Sequence, residues 1–131
     1  MKQFEMVVDV VPGDIDELNH VNNLVYLRWG AQVAHAHVAE LSKHVAHEGI
    51  GWVVLRHEID YRKSALLGDR VRLVTRMGES RRLSFTRHTD ILREADGAVL
   101  AQIKSTYCPI RLADNRPINV SAEFREAYTQ A

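Results

Sequence analysis

Asp14-Ile15-Asp16-Glu17-Leu18-Asn19-His20-Val21-Asn22-Asn23-Leu24-Val25-Tyr26 is a polar segment that runs straight into an apolar, periodic one. Its first ten residues hold two aspartates, an imidazole and three side-chain amides. From Leu24 the residues Leu24, Leu27, Ala31, Ala34, Val38, Leu41 and Val45 recur at spacings of three and four. That spacing is one face of a helix about 20 residues long. Tyr26, Trp29 and Val33 widen the face, so the helix is expected to be largely buried, with Gly49 and Gly51 ending it. A polar loop thus feeds the N-terminus of a buried helix. Such a terminus offers free backbone N–H groups and a partial positive charge. A carboxylate beside it supplies the parts for attack on a carbonyl: a nucleophile or base, and an oxyanion binder.

Outward from this segment the chain reads as strands. Lys2–Val11 is a first strand, stopped by Pro12-Gly13. Trp52–Tyr61 sets Val53, Leu55, Ile59 and Tyr61 on one side against Arg56, Glu58 and Asp60. Arg70–Met77, Leu83–Leu92 and Val99–Ile110 alternate in the same way, and Asp96-Gly97 is a tight-turn signal between the last two. Strands with one wet face imply an antiparallel sheet. Ser121–Tyr128 fits a short terminal helix. The expected class is α+β, one long helix on a five-stranded antiparallel sheet. The 131 residues are read as one domain, 1–131, with one core.

Composition narrows the function classes. Apolar residues make up 46% and charged residues 26%, ordinary for a soluble protein. Lysine plus arginine balances aspartate plus glutamate at 17 each, so no whole-molecule charge favours nucleic acid or an anionic membrane. No apolar run approaches the roughly 20 residues of a membrane span. The single Cys108 cannot form an internal disulfide. With no signal peptide in view, the expected compartment is the cytoplasm. His35, His37, His44 and His47 invite a metal reading, but residues two apart on a helix do not share a face, and no acid-rich partner helix accompanies them. No metal or redox cofactor is expected.

The motif Asp14-x-Asp16-x-x-x-His20-Val21-Asn22-Asn23-x-x-Tyr26 resembles the signature of the 4-hydroxybenzoyl-CoA thioesterase family of hotdog-fold proteins. Ile59-Asp60-Tyr61-Arg62-Lys63-Ser64-Ala65 with Gly68-Asp69 is similar to the family's second recurring patch. The resemblance implies a sheet that wraps the helix, and acyl-CoA hydrolysis to free acid and CoA. It makes Asp16 the catalytic carboxylate; from residue type alone Asp16 is equally a turn or helix cap. Carboxylates are ordinarily ionised at neutral pH, which suits a nucleophile or a general base. Asp14 is read as a turn cap.

The same resemblance places the oxyanion donor at the backbone N–H of Asn23 and an assisting role at His20. Leu18 stands where plant-type acyl-carrier-protein thioesterases carry an asparagine. Asn22 and Tyr26 join the substrate-binding set, with an N-cap and core packing as their plain structural roles. In the family the second patch, Tyr61, Arg62, Lys63 and Ser64, comes from the partner subunit. Arg62, Lys63, Arg81 and Arg82 are candidates for CoA phosphates. A homodimer or homotetramer is implied. The competing readings are an acyl-carrier-protein thioesterase or dehydratase on the same fold, or a non-catalytic acyl-CoA-binding module.

Overall fold

A computed structural model describes residues 2–46 and 48–130. Strand β1 (Gln3–Asp9) leads through one 3-10 turn at Pro12–Asp14 to helix α1 (Asn23–Leu41). Strands β2 (Ile50–Tyr61), β3 (Arg70–Arg81), β4 (Ser84–Arg93) and β5 (Val99–Arg111) follow. A two-residue strand β6 (Arg116–Pro117) and helix α2 (Ala122–Gln130) complete the chain. The sheet order is β1-β3-β4-β5-β2, antiparallel throughout, and α1 packs on its inner face. This is the hotdog arrangement, with six strands where five were expected. The sixth arises because Asp114 caps the Arg116 N–H and Asn115 takes φ +58°, turning the chain back onto β5. No helix among the described residues is long and apolar enough to cross a membrane.

The helix starts and stops for local reasons. Asn22 caps it, its Oδ1 accepting the Leu24 N–H at 2.9 Å. It ends at Leu41, short of the expected Val45, where Ser42 bonds back to the Ala39 carbonyl. The buried face is Val25, Tyr26, Trp29, Val33, Ala34, His37 and Leu41. The anticipated stripe from Leu24 therefore lies to one side of the face that meets the sheet. Leu24 is 74% exposed, and Ala31 is exposed too. Gly30 sits mid-helix despite a cost of about 1 kcal/mol relative to alanine. It allows close approach to β5, since a Cβ there would stand 2.8 Å from Ile103 Cδ1.

Strand β2 also departs from the simple alternation. A bulge lies between Val54 and Arg56, so Leu55 is an extra residue with no partner in β5. The slip turns Trp52, Val54 and His57 toward the inner side, whereas Val53 and Leu55 were expected there; all three line a cavity against α1.

Two apolar clusters form the core. The larger centres on Val21, Tyr26, Trp29, Leu73, Ile91 and Ile103; the smaller holds Leu41, Met77, Phe85 and Tyr128. A buried polar belt runs between them, made of Thr75 on β3, Arg87 and Thr89 on β4, Ser105 on β5 and His37 on α1. Arg87 Nη1 donates to His37 Nδ1 at 2.8 Å and to Thr75 Oγ1 at 3.0 Å. Thr75 and Thr89 share a bond of 3.0 Å, and the Phe4 ring stacks on His37.

Burial, reinforced by the neighbouring guanidinium, pushes the His37 pKa down to about 4. The imidazole is therefore neutral at pH 7 and accepts from Arg87. An unfolded histidine binds its proton near pH 6.5, so acidification protonates the unfolded chain first. This contribution to stability is complete above about pH 6.5 and is lost as pH falls toward 4, by on the order of 2–3 kcal/mol. His37→Gln keeps an acceptor for Arg87 but does not titrate. In urea unfolding, the variant is expected to be the less stable protein at pH 7, and the gap should narrow by about 2 kcal/mol at pH 4.5. A gap independent of pH contradicts the assignment.

Candidate active site

The loop before α1 is held from below by Asp14. This aspartate is 3% exposed, and its Oδ2 accepts the Val11 N–H at 3.1 Å. Its Oδ1 pairs with Arg28 Nη2 at 2.5 Å, tying the loop to the second turn of α1. The Asp14 carbonyl accepts the Asn22 N–H, and Ile15 bridges Val21. The Asp16 N–H then reaches the His20 carbonyl at 2.9 Å. These contacts make a miniature antiparallel ribbon, closed by residues 16–20. Asn19 closes it with φ +61°, a conformation asparagine tolerates better than most residues.

The ribbon sets Asp16 opposite His20, beside the helix start. Asp16 is half-buried, and its Oδ1 accepts the Leu18 N–H at 2.9 Å. Among the described residues its second oxygen has no partner. The His20 ring is exposed and makes no hydrogen bond among the described residues, so in this chain its link to Asp16 runs through the backbone. At the helix start, Asn22 Oδ1 occupies the Leu24 N–H and the Asn22 carbonyl accepts the Val25 N–H. The Asn23 N–H is left without an acceptor among the described residues. The first turn holds no acidic residue, so the positive end of the helix dipole is not neutralised from within.

Part of the second patch meets this helix start within one chain. Tyr61 Oη donates to the Asn23 carbonyl at 3.2 Å. The Tyr26 hydroxyl accepts the Ala65 N–H at 2.8 Å, and the Val21 N–H reaches the Ala65 carbonyl. Tyr26 is 2% exposed, its ring edge against both Trp29 and Tyr61. It is a clamp in the core, and burial raises its pKa. Tyr61 and Ala65 thus touch the first motif of their own chain.

Other expected residues are dispersed. Arg62 turns outward to Gln102 and lies 3.9 Å from Asp60. Lys63 and Ser64 are exposed; the Ser64 carbonyl accepts from Arg93. Arg81 and Arg82 sit on the β3–β4 turn, their carbonyls held by Arg125 of α2. In this chain that turn is at the far end of the sheet from Tyr61. Arg81 lies eight positions along β3 from Leu73, which shares the Tyr61 end, roughly 26 Å at strand rise. Cys108 is buried in β5, with its thiol toward the Pro109 carbonyl. Of the helical histidines, His37 is committed to Arg87, and His47 lies outside the described residues.

Sequence reasoning missed the cavity between α1 and the inner sheet. It measures about 350 Å³, and Ala31, Val38, Trp52, Phe85, Arg87 and Tyr107 are among its walls. The signal was present in Phe85-x-Arg87-x-Thr89-x-Ile91, a period-two run that sends an arginine inward with the apolar residues.

Comparison with known proteins agrees with this architecture. The family profile described as the thioesterase-like superfamily matches residues 10–128. A Thermus thermophilus thioesterase, solved in complex with coenzyme A and Zn, is 28% identical, covering 95% of this chain and 90% of that one, with a TM-score of 0.78. A predicted thioesterase from Bacillus stearothermophilus is 21% identical, covering 98% and 96%, with a TM-score of 0.85. A 1,4-dihydroxy-2-naphthoyl-CoA thioesterase from Synechocystis is 15% identical, covering 97% and 96%, with a TM-score of 0.82. No curated protein matches the chain. A match spanning the polar loop, the helix and strands β2 to β6 shows that the chain belongs to the thioesterase-like superfamily and is a thioester hydrolase on the hotdog fold.

Proposed function

We propose that the protein hydrolyses an acyl-CoA to a free acid and CoA, with Asp16 as the reacting carboxylate. The observation that carries this reading is the half-buried Asp16, one oxygen uncommitted, fixed beside a helix start whose Asn23 N–H has no acceptor among the described residues. The thioester carbonyl carbon takes the new oxygen, from water activated by Asp16 or from Asp16 itself before water releases the acyl group. Negative charge that develops on the carbonyl oxygen is met by the Asn23 N–H and the helix dipole. Such a donor contributes roughly 3 kcal/mol to transition-state binding. The C–S bond then breaks, and the proton taken from water goes to the leaving thiolate. The coenzyme A bound by the Thermus relative supports a CoA ester as substrate.

The functional unit is proposed to be a dimer built on β2. This strand pairs with β5 on one side and is the sheet's edge on the other. It exposes Val53, Val54 and Leu55 at 41%, 46% and 58%. A 12-residue edge with apolar side chains is a template for another strand. The Leu24 and Ala31 side of α1 lies open next to it. Antiparallel pairing of two β2 strands about their middle, near Leu55, covers both features. It also carries the partner's Tyr61 end, with its Asp16 loop, to the Trp52 end of this chain. The cavity and the Arg81–Arg82 turn lie at that end, so the pairing brings one chain's carboxylate to the other chain's pocket and basic turn.

Asp16→Asn is expected to lower turnover of an acyl-CoA roughly 10²–10⁴-fold while CoA-ester affinity is retained. His20→Ala should cost less. Turnover and calorimetric affinity, with circular dichroism for folding, check this; a folded, fully active Asp16→Asn protein refutes the mechanism. Sedimentation equilibrium should give at least twice 14.9 kDa for the wild type at micromolar concentration. Leu55→Asp, a charge in the edge, should shift it toward monomer and abolish turnover. A monomeric, active wild type contradicts the shared site.

A further inference from the structure

Arg87 is 3% exposed, yet all its hydrogen-bond partners are neutral. They are His37 Nδ1, Thr75 Oγ1 and the Tyr128 hydroxyl. No carboxylate pairs with it among the described residues. A guanidinium stays protonated even where burial lowers its pKa, as it does here, so the belt holds a positive charge without a counter-ion. Such a charge is costly unless an anion meets it.

Arg87 also lines the 350 Å³ cavity, and no acidic residue does among the described residues. That volume is near the lower end of small-molecule pockets, roughly 300–1,000 Å³. The walls are mostly apolar and aromatic, with Trp52, Phe85 and Tyr107 among them. The buried Trp52 Nε1 also lacks an acceptor among the described residues. The Arg87 cation in this wall favours a ligand bearing anionic oxygens. A carboxylate fits the planar fork of an arginine, and it is more easily desolvated than a phosphate dianion.

We propose that this cavity is the acyl pocket and that it selects acyl groups whose far end carries a carboxylate, which pairs with Arg87. The inference rests on the hydrolase reading and on the β2 dimer. Ala31 and Val38 lie roughly 12 and 22 Å along α1 from Asn23, too far for the chain's own Asp16 loop to serve the pocket. The reacting carbonyl is then at the cavity mouth, beside the second copy's Asp16, and the carboxylate points inward. Arg87 is a specificity residue that does not touch the reacting atoms.

The test compares matched pairs that differ only at the far end. For hydrolysis the pairs are 4-carboxybenzoyl-CoA with 4-methylbenzoyl-CoA, and glutaryl-CoA with valeryl-CoA. For binding without chemistry, calorimetry compares 4-carbamoylbenzoate with 4-methylbenzamide. The wild type is expected to favour the carboxylate member at least tenfold in kcat/KM for one or both pairs, and likewise in affinity. Arg87→Met should bring the ratios to one or below, and Arg87→Lys should leave an intermediate ratio. If Arg87→Met does not fold, the wild-type ratios decide. Hydrolysis of all four esters with no preference, together with equal binding of the two amides, overturns the inference and leaves the hydrolase standing. So does a preference that survives in folded Arg87→Met. If no ester is hydrolysed but 4-carbamoylbenzoate binds at least tenfold tighter and loses this with Arg87→Met, the hydrolase reading fails and the carboxylate site stands.

Discussion

The start of α1 is fastened to the rest of the fold by hydrogen bonds from three directions, and the geometry of the candidate site depends on them. Asp14 grips the helix through Arg28 and the preceding turn through the Val11 N–H. The Tyr26 hydroxyl holds Ala65, and the Tyr61 hydroxyl holds the Asn23 carbonyl. Backbone bonds from Asn22 and Val21 close the set. Apart from Arg28, the side chains involved are short or aromatic, so less side-chain entropy opposes their placement. A reactive carboxylate has to be placed to within a fraction of an ångström, and these contacts supply the second layer that such placement needs. Asp14 and Asp16 are two residues apart yet differ in kind. One is buried and spent on structure through a partly exposed ion pair with Arg28, and the other keeps an oxygen free among the described residues.

The helix is seated against a sheet whose inner face is not uniformly apolar. Two clusters lie at opposite ends of the helix, and the Thr75–Arg87–Thr89–Ser105 belt crosses between them. A belt of this kind sacrifices some hydrophobic stabilisation; Thr75, Thr89 and Arg87 bond one another or His37, and Ser105 bonds His57 Nδ1 at 2.7 Å. The belt borders the cavity, which gives the inner face a polar group that a ligand can reach. The bulge at Leu55 belongs to the same design. It turns Val54 and His57 into the cavity and pushes Leu55 out along the open edge.

Much of the architecture was legible because its signals are local. The period of α1, the Asp96-Gly97 turn and four alternating segments were enough for a helix on an antiparallel sheet. The Asn22 cap was legible as well, since cap chemistry needs only the residue and its neighbours. What escaped depends on features that no short window contains. The Leu24 stripe is apolar but faces sideways, because α1 offers more apolar surface than its own sheet can cover. The phase of β2 changes at a bulge that its partner strand reveals. Arg87 lies in a period-two run with Phe85 and Ile91 that points it inward, but its partners His37 and Thr75 come from other elements, which no short window contains. The placement of Arg81 and Arg82, distant from Asp16 in one chain, is a matter of topology that residue type does not encode.

In the proposed dimer each site is shared, Asp16 from one chain acting on an acyl group held by the other. Subunit complementation tests this directly. Asp16→Asn removes the carboxylate, and Ala31→Trp fills the cavity; each protein alone should be inactive. Unfolding and refolding them together in equal amounts makes mixed dimers in which one of the two sites has both an intact Asp16 and an open cavity. Random pairing predicts recovery to about one quarter of wild-type turnover. A mixture as inactive as its two components, with mixed dimers shown to form, would place both parts of the site on one chain and contradict the claim.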